Sequence, residues 1–195
     1  MTAAATGRKP LGTGKPANPF AVQHVQPGAI PFVDEQGREQ SAWVESLLDR
    51  ALAASGGQIE GPMGSGKTTL LVHLHRCALG RGLSATRTRA PRLGGAGRGS
   101  IAFIDGANVL TRAGWVIARA WLRLRGVVPI VTTHIDLGLP KLHTRSVSPE
   151  LARVIIERLE PGTSPGPAEL ARMLSDEPES LRGVLFEMYD RYESA

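Results

Sequence analysis

The chain has 195 residues, of which 42% are hydrophobic and 21% are charged, and its formal net charge is +5. This is the size of one domain with a buried core. No run approaches the roughly 18 consecutive apolar residues that a membrane span requires, and residues 1–15 lack the apolar segment of a secretory signal, so we expect a cytoplasmic protein that does not enter membranes. A single cysteine, Cys77, excludes an internal disulfide and a zinc site built from several cysteines.

The charge is distributed unevenly along the chain. Residues 1–17 sum to +3 and residues 18–70 to −3, whereas residues 71–132 contain ten arginines and one acid, Asp105, and residues 133–195 sum to −4. A basic middle segment between two acidic ones predicts a partner that carries phosphate.

Composition divides the chain into three parts. Residues 1–17 contain almost nothing to bury, and we expect a disordered basic tail. Residues 18–149 hold the apolar runs and motifs of a nucleotide-binding core, and residues 150–195 are predicted to form a C-terminal helical lid. The core begins with a helix whose apolar residues share one face: Trp43, Val44, Leu47, Leu48 and Ala51.

A phosphate-binding loop is predicted between a short strand, Gln58 to Glu60, and a helix that ends near Gly80. The segment reads Gly61-Pro-Met-Gly-Ser-Gly-Lys-Thr68, which is the Walker A pattern. Its glycines let backbone N–H groups surround the phosphates, Lys67 reaches the β- and γ-phosphates, and the Thr68 hydroxyl binds Mg²⁺. We expect ATP, in preference to GTP, to be bound by Gly61, Pro62, Met63, Gly64, Ser65, Gly66, Lys67, Thr68 and Thr69.

The second motif is Ile101-Ala-Phe-Ile-Asp105, an apolar run that ends in an acid. It predicts a buried parallel strand that presents a Walker B aspartate. Together with Thr68, Asp105 is the predicted Mg²⁺ ligand. The alternative is that Asp105 only caps the next helix.

A further strand, Val127 to Val131, leads into Thr132-Thr133-His134. Ligands of open α/β sheets lie at the carboxyl ends of the strands, so we expect Thr133 to sense the γ-phosphate, with Thr132 or Thr133 orienting the attacking water. The alternative is a pair of ordinary polar residues at a strand end. Weaker strand signals occur in 82–89 and 142–147.

A helix between these two strands is predicted to have an apolar face and an arginine face. The apolar face contains Leu110, Ala113, Ile117, Ala120, Trp121 and Leu124 and is expected to be core, and the opposite side carries Arg112, Arg119 and Arg123. Three roles stay open for the arginines: a solvated surface, a contact to the nucleotide of a neighbouring subunit, or a contact to a nucleic-acid backbone.

In this order the motifs resemble P-loop NTPases of the additional-strand class, and more particularly small AAA+-type ATPases. The resemblance covers about residues 56–147 and implies an α/β fold, a three-layer sandwich with a mostly parallel central sheet. A C-terminal helix adds Glu179-Ser-Leu-Arg182, which resembles the element that supplies a sensor-2 arginine; the alternative for Arg182 is a solvated helix face. The whole chain also resembles a group of small, uncharacterised bacterial P-loop proteins.

One departure from the family pattern affects the expected chemistry. ATPases of this class usually place a glutamate at or soon after the Walker B aspartate, whereas Asp105 is followed by Gly106, Ala107 and Asn108. Only His134 or Asp136 would approach as a base from the next strand end. We therefore expect ATP and Mg²⁺ binding with hydrolysis that is slow or stimulated by a partner.

Two alternative functions follow from the same residues. The first alternative, favoured by the missing glutamate, is a nucleotide-dependent switch that does not hydrolyse. The start Gly61-Pro-Met63 is also similar to thymidine kinases, which makes a nucleoside or small-molecule kinase the third hypothesis, although one cysteine cannot build the zinc site of those enzymes. A homo-oligomer, a protein partner and nucleic acid stay open as partners.

Overall fold

A computed structural model describes residues 17–92, 95–176 and 180–194 of the chain. The predicted tail, apart from Ala17, lies outside these ranges. Five strands form one sheet in the order β2-β3-β4-β1-β5, and every pairing between neighbours is parallel. The strands are β1 (Gly57–Glu60), β2 (Ala85–Arg89), β3 (Ile101–Asp105), β4 (Val128–Thr133) and β5 (Lys141–Thr144).

Seven helices surround the sheet in the described ranges. They are α1 (Val22–Val25), α2 (Ser41–Ala53), α3 (Lys67–Gly80), α4 (Arg112–Leu124), α5 (Pro149–Leu159), α6 (Pro167–Asp176) and α7 (Leu181–Ser194), with a short 3₁₀ turn at Ala107–Val109. Because all strands run the same way, their carboxyl ends meet at one edge of the sheet, where ligands of such folds lie.

The sheet separates two apolar layers, so the molecule is the three-layer α/β sandwich that the sequence predicts. On one side, α2 and α3 pack against alternating strand residues that include Ile59, Phe103 and Ile130. On the other side, α4 packs against the intervening residues, among them Ile104 and Val131. This alternation follows from the two-residue period of a strand.

The predicted core face of α4 is wrong except at Leu110 and Trp121, which are partly buried against the core. Trp115, Ala118 and Leu122 are the buried residues of this helix, and the Trp115 indole donates a 2.9 Å hydrogen bond to the Leu137 carbonyl. Ile117 and Leu124, which were expected in the core, are 71% and 85% exposed. The helix is apolar on two opposite sides, and the larger stripe faces solvent.

The arginines of α4 lie between these two sides. Arg112 and Arg123 are exposed, whereas Arg119 is partly buried and donates a 2.9 Å hydrogen bond to the Gly138 carbonyl. The three side chains are seven and four residues apart, so they share one stripe along the helix, which lies beside the two apolar sides and not opposite to them.

The last three helices form their own apolar cluster together with the N-terminal segment. Ile156 of α5, Leu170 of α6 and Val184 of α7 are fully buried in it, and Phe20 and Val33 pack against them. The N-terminal segment thereby links the C-terminal helices to the sheet domain. No helix in the described ranges is both long and apolar enough to cross a bilayer.

Candidate functional site: the P-loop and its surroundings

The loop from Gly61 to Gly66 connects β1 to α3 in a conformation that requires glycine. Gly61 and Gly64 have φ values of 148° and 78°, a region that side chains rarely adopt. A Cβ on Gly61 would lie 2.2 Å from the Arg145 carbonyl oxygen, and one on Gly64 would lie 2.4 Å from Ser180 Oγ. The spacing of the motif is therefore fixed both by backbone angles and by two close neighbours.

Lys67 is the first residue of α3 and is buried beneath this loop. Its ammonium donates to the carbonyls of Gly61, at 2.6 Å, and Pro62, and lies 3.4 Å from Nδ1 of His134. Burial lowers the pKa of Lys67 to about 8, and the Asp105 carboxylate acts in the opposite direction. The loop thus holds a cation whose charge is incompletely compensated by protein groups.

Three oxygen-bearing side chains meet at the carboxyl end of β3. The hydroxyls of Thr68 and Thr132 donate to Oδ1 of Asp105 at 3.0 and 2.7 Å, and Thr132 Oγ1 accepts a 2.8 Å hydrogen bond from Gly106 N. Two of the predicted residues, Thr68 and Asp105, are therefore in direct contact. Thr132 completes the cluster.

Thr133 is not part of this cluster. It is fully buried, and its hydroxyl donates to the Ile135 carbonyl at 2.8 Å and accepts from Ile135 N at 3.1 Å. Thr132 shares a strand face with Ile130, which packs on the α3 side, whereas Thr133 follows Val131 on the α4 side. The strand period decides which threonine reaches Asp105.

The donor set beside Asp105 suits Mg²⁺. A carboxylate and a hydroxyl are hard oxygen ligands, and Mg²⁺ commonly takes one or two such groups together with waters and nucleotide phosphates. Within the described ranges no group of three or more His, Cys, Asp or Glu side chains is arranged around a metal position. Thr68 and Asp105 therefore fit a cation whose other ligands come from a bound nucleotide and water.

Two further carboxylates near the ends of β1 and β4, Glu60 and Asp136, are engaged by Gln58. The buried Gln58 side chain donates to Glu60 Oε1 at 2.6 Å and to Asp136 Oδ1 at 2.9 Å, and Lys141 Nζ lies 2.8 Å from Glu60 Oε2. The hydrogen bond from the Gly138 amide, and to a smaller extent the one from Gln58, lowers the pKa of Asp136. Of the two groups expected near the site, His134 lies against Lys67 and the Gly61 carbonyl, and Asp136 belongs to the Gln58 network.

An apolar cavity of about 280 Å³ opens beside the loop. Residues 64–69 form its floor, Val25 and Gln26 form one wall, and Leu185 and Phe186 of α7 form the other. The exposed side chain of Arg182 also lines it, as does Thr69, whereas Met63 is 74% exposed on the outside of the loop. The sequence motifs gave no signal for this cavity because its walls come from opposite ends of the chain.

Arg145 is a further residue that the motifs missed. It follows β5, donates from Nε to the Ser65 carbonyl at 3.2 Å, and places its guanidinium 4.8 Å from the centre of the Phe32 ring. Burial lowers the pKa of Arg145, and Glu35 opposes that effect. The side chain ties the phosphate-binding loop to the N-terminal segment.

Comparison with known proteins supports the fold and extends no further. No family model matches the chain, and no curated protein matches its sequence. A solved structure of the replication initiator DnaA, an AAA+ ATPase, bound to AMPPCP and single-stranded DNA is similar, with a TM-score of 0.54 and 16% identity over 84% of this chain. The chain spans 62% of that DnaA chain. The chain therefore has a P-loop NTPase-like α/β fold that is similar to the fold of the DnaA structure.

Proposed function

We propose that the chain binds ATP together with Mg²⁺ in the cavity between the phosphate-binding loop and α7. The observation that carries the proposal is the convergence of Lys67, Thr68 and Asp105 at the first turn of α3, directly below a loop whose conformation requires glycine at positions 61 and 64. The DnaA structure, which contains the nucleotide analogue AMPPCP, supports the same class of ligand.

Each part of the site has a separate task in this proposal. The Lys67 ammonium exchanges the carbonyls of Gly61 and Pro62 for phosphate oxygens, and the helix dipole adds to its charge. Thr68 and Asp105 hold Mg²⁺, which neutralises phosphate charge when bound. His134 lies beside Lys67, and in this proposal it faces the γ-phosphate, the role that the sequence predicts for Thr133.

The apolar part of the cavity suits a base. Val25, Leu185 and Phe186 offer apolar and aromatic surface, and the Gln26 amide supplies hydrogen-bonding groups. Arg182 lines the same cavity from the first turn of α7, and in this proposal it contacts the nucleotide phosphates. A bound nucleotide would therefore touch the sheet domain and the C-terminal helices at once.

Hydrolysis is slow or stimulated by a partner in this proposal. The residues after Asp105 carry no carboxylate, and Glu60 and Asp136 are held by Lys141, Gln58 and the Gly138 amide. The same observation favours a second function, a nucleotide-dependent switch that does not hydrolyse. Turnover by the purified chain distinguishes the two.

The test is a titration of ATP with and without Mg²⁺, followed by a turnover assay. Lys67→Ala should abolish binding, whereas Arg153→Ala removes an exposed positive charge on α5 and should leave the affinity unchanged. Unchanged ATP affinity in the lysine variant refutes the site. Turnover of roughly one per second or more by the chain alone refutes slow hydrolysis, and the assay is repeated with single-stranded DNA because the DnaA structure contains it.

A further inference from the structure

A second cavity, of about 330 Å³, lies on the outer side of the pair Thr68 and Asp105. Its other walls are residues 26–27 and the carboxyl end of β2, where Arg87, Thr88 and Arg89 line it. The first cavity, proposed above to hold the nucleotide, shares only residues 26–27 and Thr68 with it, since its remaining walls belong to α1, the phosphate-binding loop, α3 and α7. A ligand in the second cavity would lie next to the predicted Mg²⁺ site and outside the nucleotide pocket.

The two arginines project into this region because of their places in the sheet. β2 is an edge strand that pairs only with β3, and Arg89 is in register with Asp105. Residues two apart on a strand share a face, so Arg87 and Arg89 lie on the same side as Phe103 and Asp105, which is the side of α3. His75 of α3 packs against Phe103 on this side, with 5.4 Å between the two ring centres. The pKa of His75 is lowered mainly by burial and next by the positive charge of Arg87.

Neither arginine has a carboxylate partner among the residues that the structure describes. In the described ranges the ion pairs all involve other side chains, and Arg87 and Arg89 are both exposed. Asp105 is the one acid that lines the cavity, and it already accepts hydrogen bonds from Thr68 and Thr132. Two neighbouring guanidinium groups without a counter-charge favour an anion, and their planar donor geometry matches a phosphate group.

We propose that Arg87 and Arg89 form a second anion site, which binds the phosphate group of a separate ligand beside the nucleotide. The ligand is a phosphate ester, supplied either by a free small molecule or by the backbone of a nucleic-acid strand. Exposed Arg92, which follows β2, extends the same positive edge. The site goes beyond the proposed nucleotide binding and is tested independently of it.

The experiment measures binding of two probes, glycerol 3-phosphate and a deoxythymidine dodecamer, by calorimetry. It is done on the full chain carrying Lys67→Ala, which keeps phosphate out of the loop, and on the unaltered chain saturated with AMPPCP and Mg²⁺. Binding of either probe is expected to weaken at least tenfold in the double variant Arg87→Ala/Arg89→Ala. The matched control is Arg112→Ala/Arg123→Ala, which removes two exposed arginines from α4 and should change the affinity less than twofold.

The two probes identify the source of the phosphate. Loss of glycerol 3-phosphate binding with no dodecamer binding assigns a small phosphate ester, and the reverse assigns a strand. For the strand, the slope of log affinity against log salt should fall by about 1.4 in the double variant, because each single-strand phosphate contact contributes about 0.7. Arg87→Lys/Arg89→Lys should recover part of the affinity, because the charge is retained but the planar fork is lost.

Three results overturn the proposal. One is no binding of either probe at millimolar concentration, and another is an equal loss in the α4 control, which would indicate nonspecific charge. The third is a double variant that binds ATP more weakly and ADP normally, because the arginines would then serve the γ-phosphate of the nucleotide. Failure of nucleotide binding itself shows separately, as an unaltered chain that does not bind AMPPCP.

Discussion

The hydroxyl of Thr132 donates a 2.7 Å hydrogen bond to Oδ1 of Asp105, the same oxygen that accepts from Thr68. Thr132 is buried, and its Oγ1 also accepts from the Gly106 amide, so it fixes both the carboxylate and the turn that follows it. A residue on the neighbouring strand β4 therefore orients the predicted Mg²⁺ ligand, as outer partners of metal ligands commonly do.

Removing the Thr132 hydroxyl should weaken the binding of Mg²⁺. In Thr132→Val, the Asp105 carboxylate loses one charge-assisted hydrogen bond, which is worth about 1.5–3 kcal/mol, and we expect the Mg²⁺ concentration for half-maximal ATP binding to rise about tenfold. Titration of Mg²⁺ at fixed ATP measures this. Thr132→Ser keeps the hydroxyl and should behave as the unaltered chain; an equal effect of both variants would contradict the orienting role.

The pKa of Lys67 predicts how nucleotide affinity depends on pH. Burial lowers this pKa to about 8, so the amine loses its proton as the pH rises through 8, and a neutral amine no longer attracts phosphate. ATP affinity should be constant below pH 7.5 and fall between pH 8 and 9.5, by up to tenfold per pH unit, as proton linkage requires. Lys67→Ala should lack this dependence. A flat profile for the unaltered chain to pH 9.5 would contradict it.

Stability of the nucleotide-free chain should change in the opposite direction over this range. The unfolded chain has a lysine pKa of about 10.4, so between pH 8 and 10.4 it binds more protons at this position than the folded chain does. The free energy of unfolding should therefore rise with pH relative to that of Lys67→Met, which has no charge to bury. Urea unfolding of both proteins at pH 7.5 and 9.5 measures this change. An unfolding free energy of the unaltered chain that does not rise relative to that of Lys67→Met would show that the amine is not desolvated.

The two sides of α4 should respond differently to truncation. Leu122→Ala leaves a cavity in the core and should cost about 2–5 kcal/mol of unfolding free energy, because Leu122 is fully buried. Ile117→Ala and Leu124→Ala should each stay within about 0.5 kcal/mol, because both side chains are exposed. Chemical denaturation measures all three. A cost above 2 kcal/mol for either exposed residue would mean that this face is covered in solution.

The two sequence motifs are predicted correctly, whereas the orientation of α4 is not. Gly61 to Thr68 and Ile101 to Asp105 are local patterns whose spacing fixes both the turn and the strand, and the structure contains both. Hydrophobic periodicity locates α4 but not its orientation, because it identifies the more apolar side and not the side that meets the sheet. The choice between Thr132 and Thr133 needs the phase of β4, and one residue of shift exchanges the two faces.

The sequence does not predict the apolar cavity beside the phosphate-binding loop, for a different reason. Val25 and Phe186 lie on its opposite walls, and no short-range pattern links two residues at opposite ends of a chain. Their proximity comes from the C-terminal apolar cluster, in which Val25 packs against residues of α5, α6 and α7. The arrangement of the C-terminal helices and the cavity beside the loop are therefore a product of tertiary packing.

Contact between the phosphate-binding loop and α7 is tested at Gly64. Its φ of 78° disfavours any side chain, and a Cβ there would lie 2.4 Å from Ser180 Oγ, which caps α7 by accepting from Gly183 N. Rotation of the Ser180 hydroxyl would not remove the crowding, because Cβ and Cα of Ser180 would also lie 3.1 and 3.2 Å away, so the loop or the start of α7 must move. Gly64→Ala should therefore lower both stability, by about 1–3 kcal/mol, and ATP affinity.

Gly80 supplies the matched control for this substitution. It is the last residue of α3, and a Cβ there meets nothing within 4 Å. Gly80→Ala should raise the free energy of unfolding by about 0.4–1 kcal/mol, because it restricts the unfolded chain without strain in the folded one, and should leave ATP affinity unchanged. Thermal unfolding and ATP titration of both variants give the four values. Normal ATP affinity in Gly64→Ala would show that α7 is not held against the loop, and that the C-terminal helices move independently of the nucleotide site.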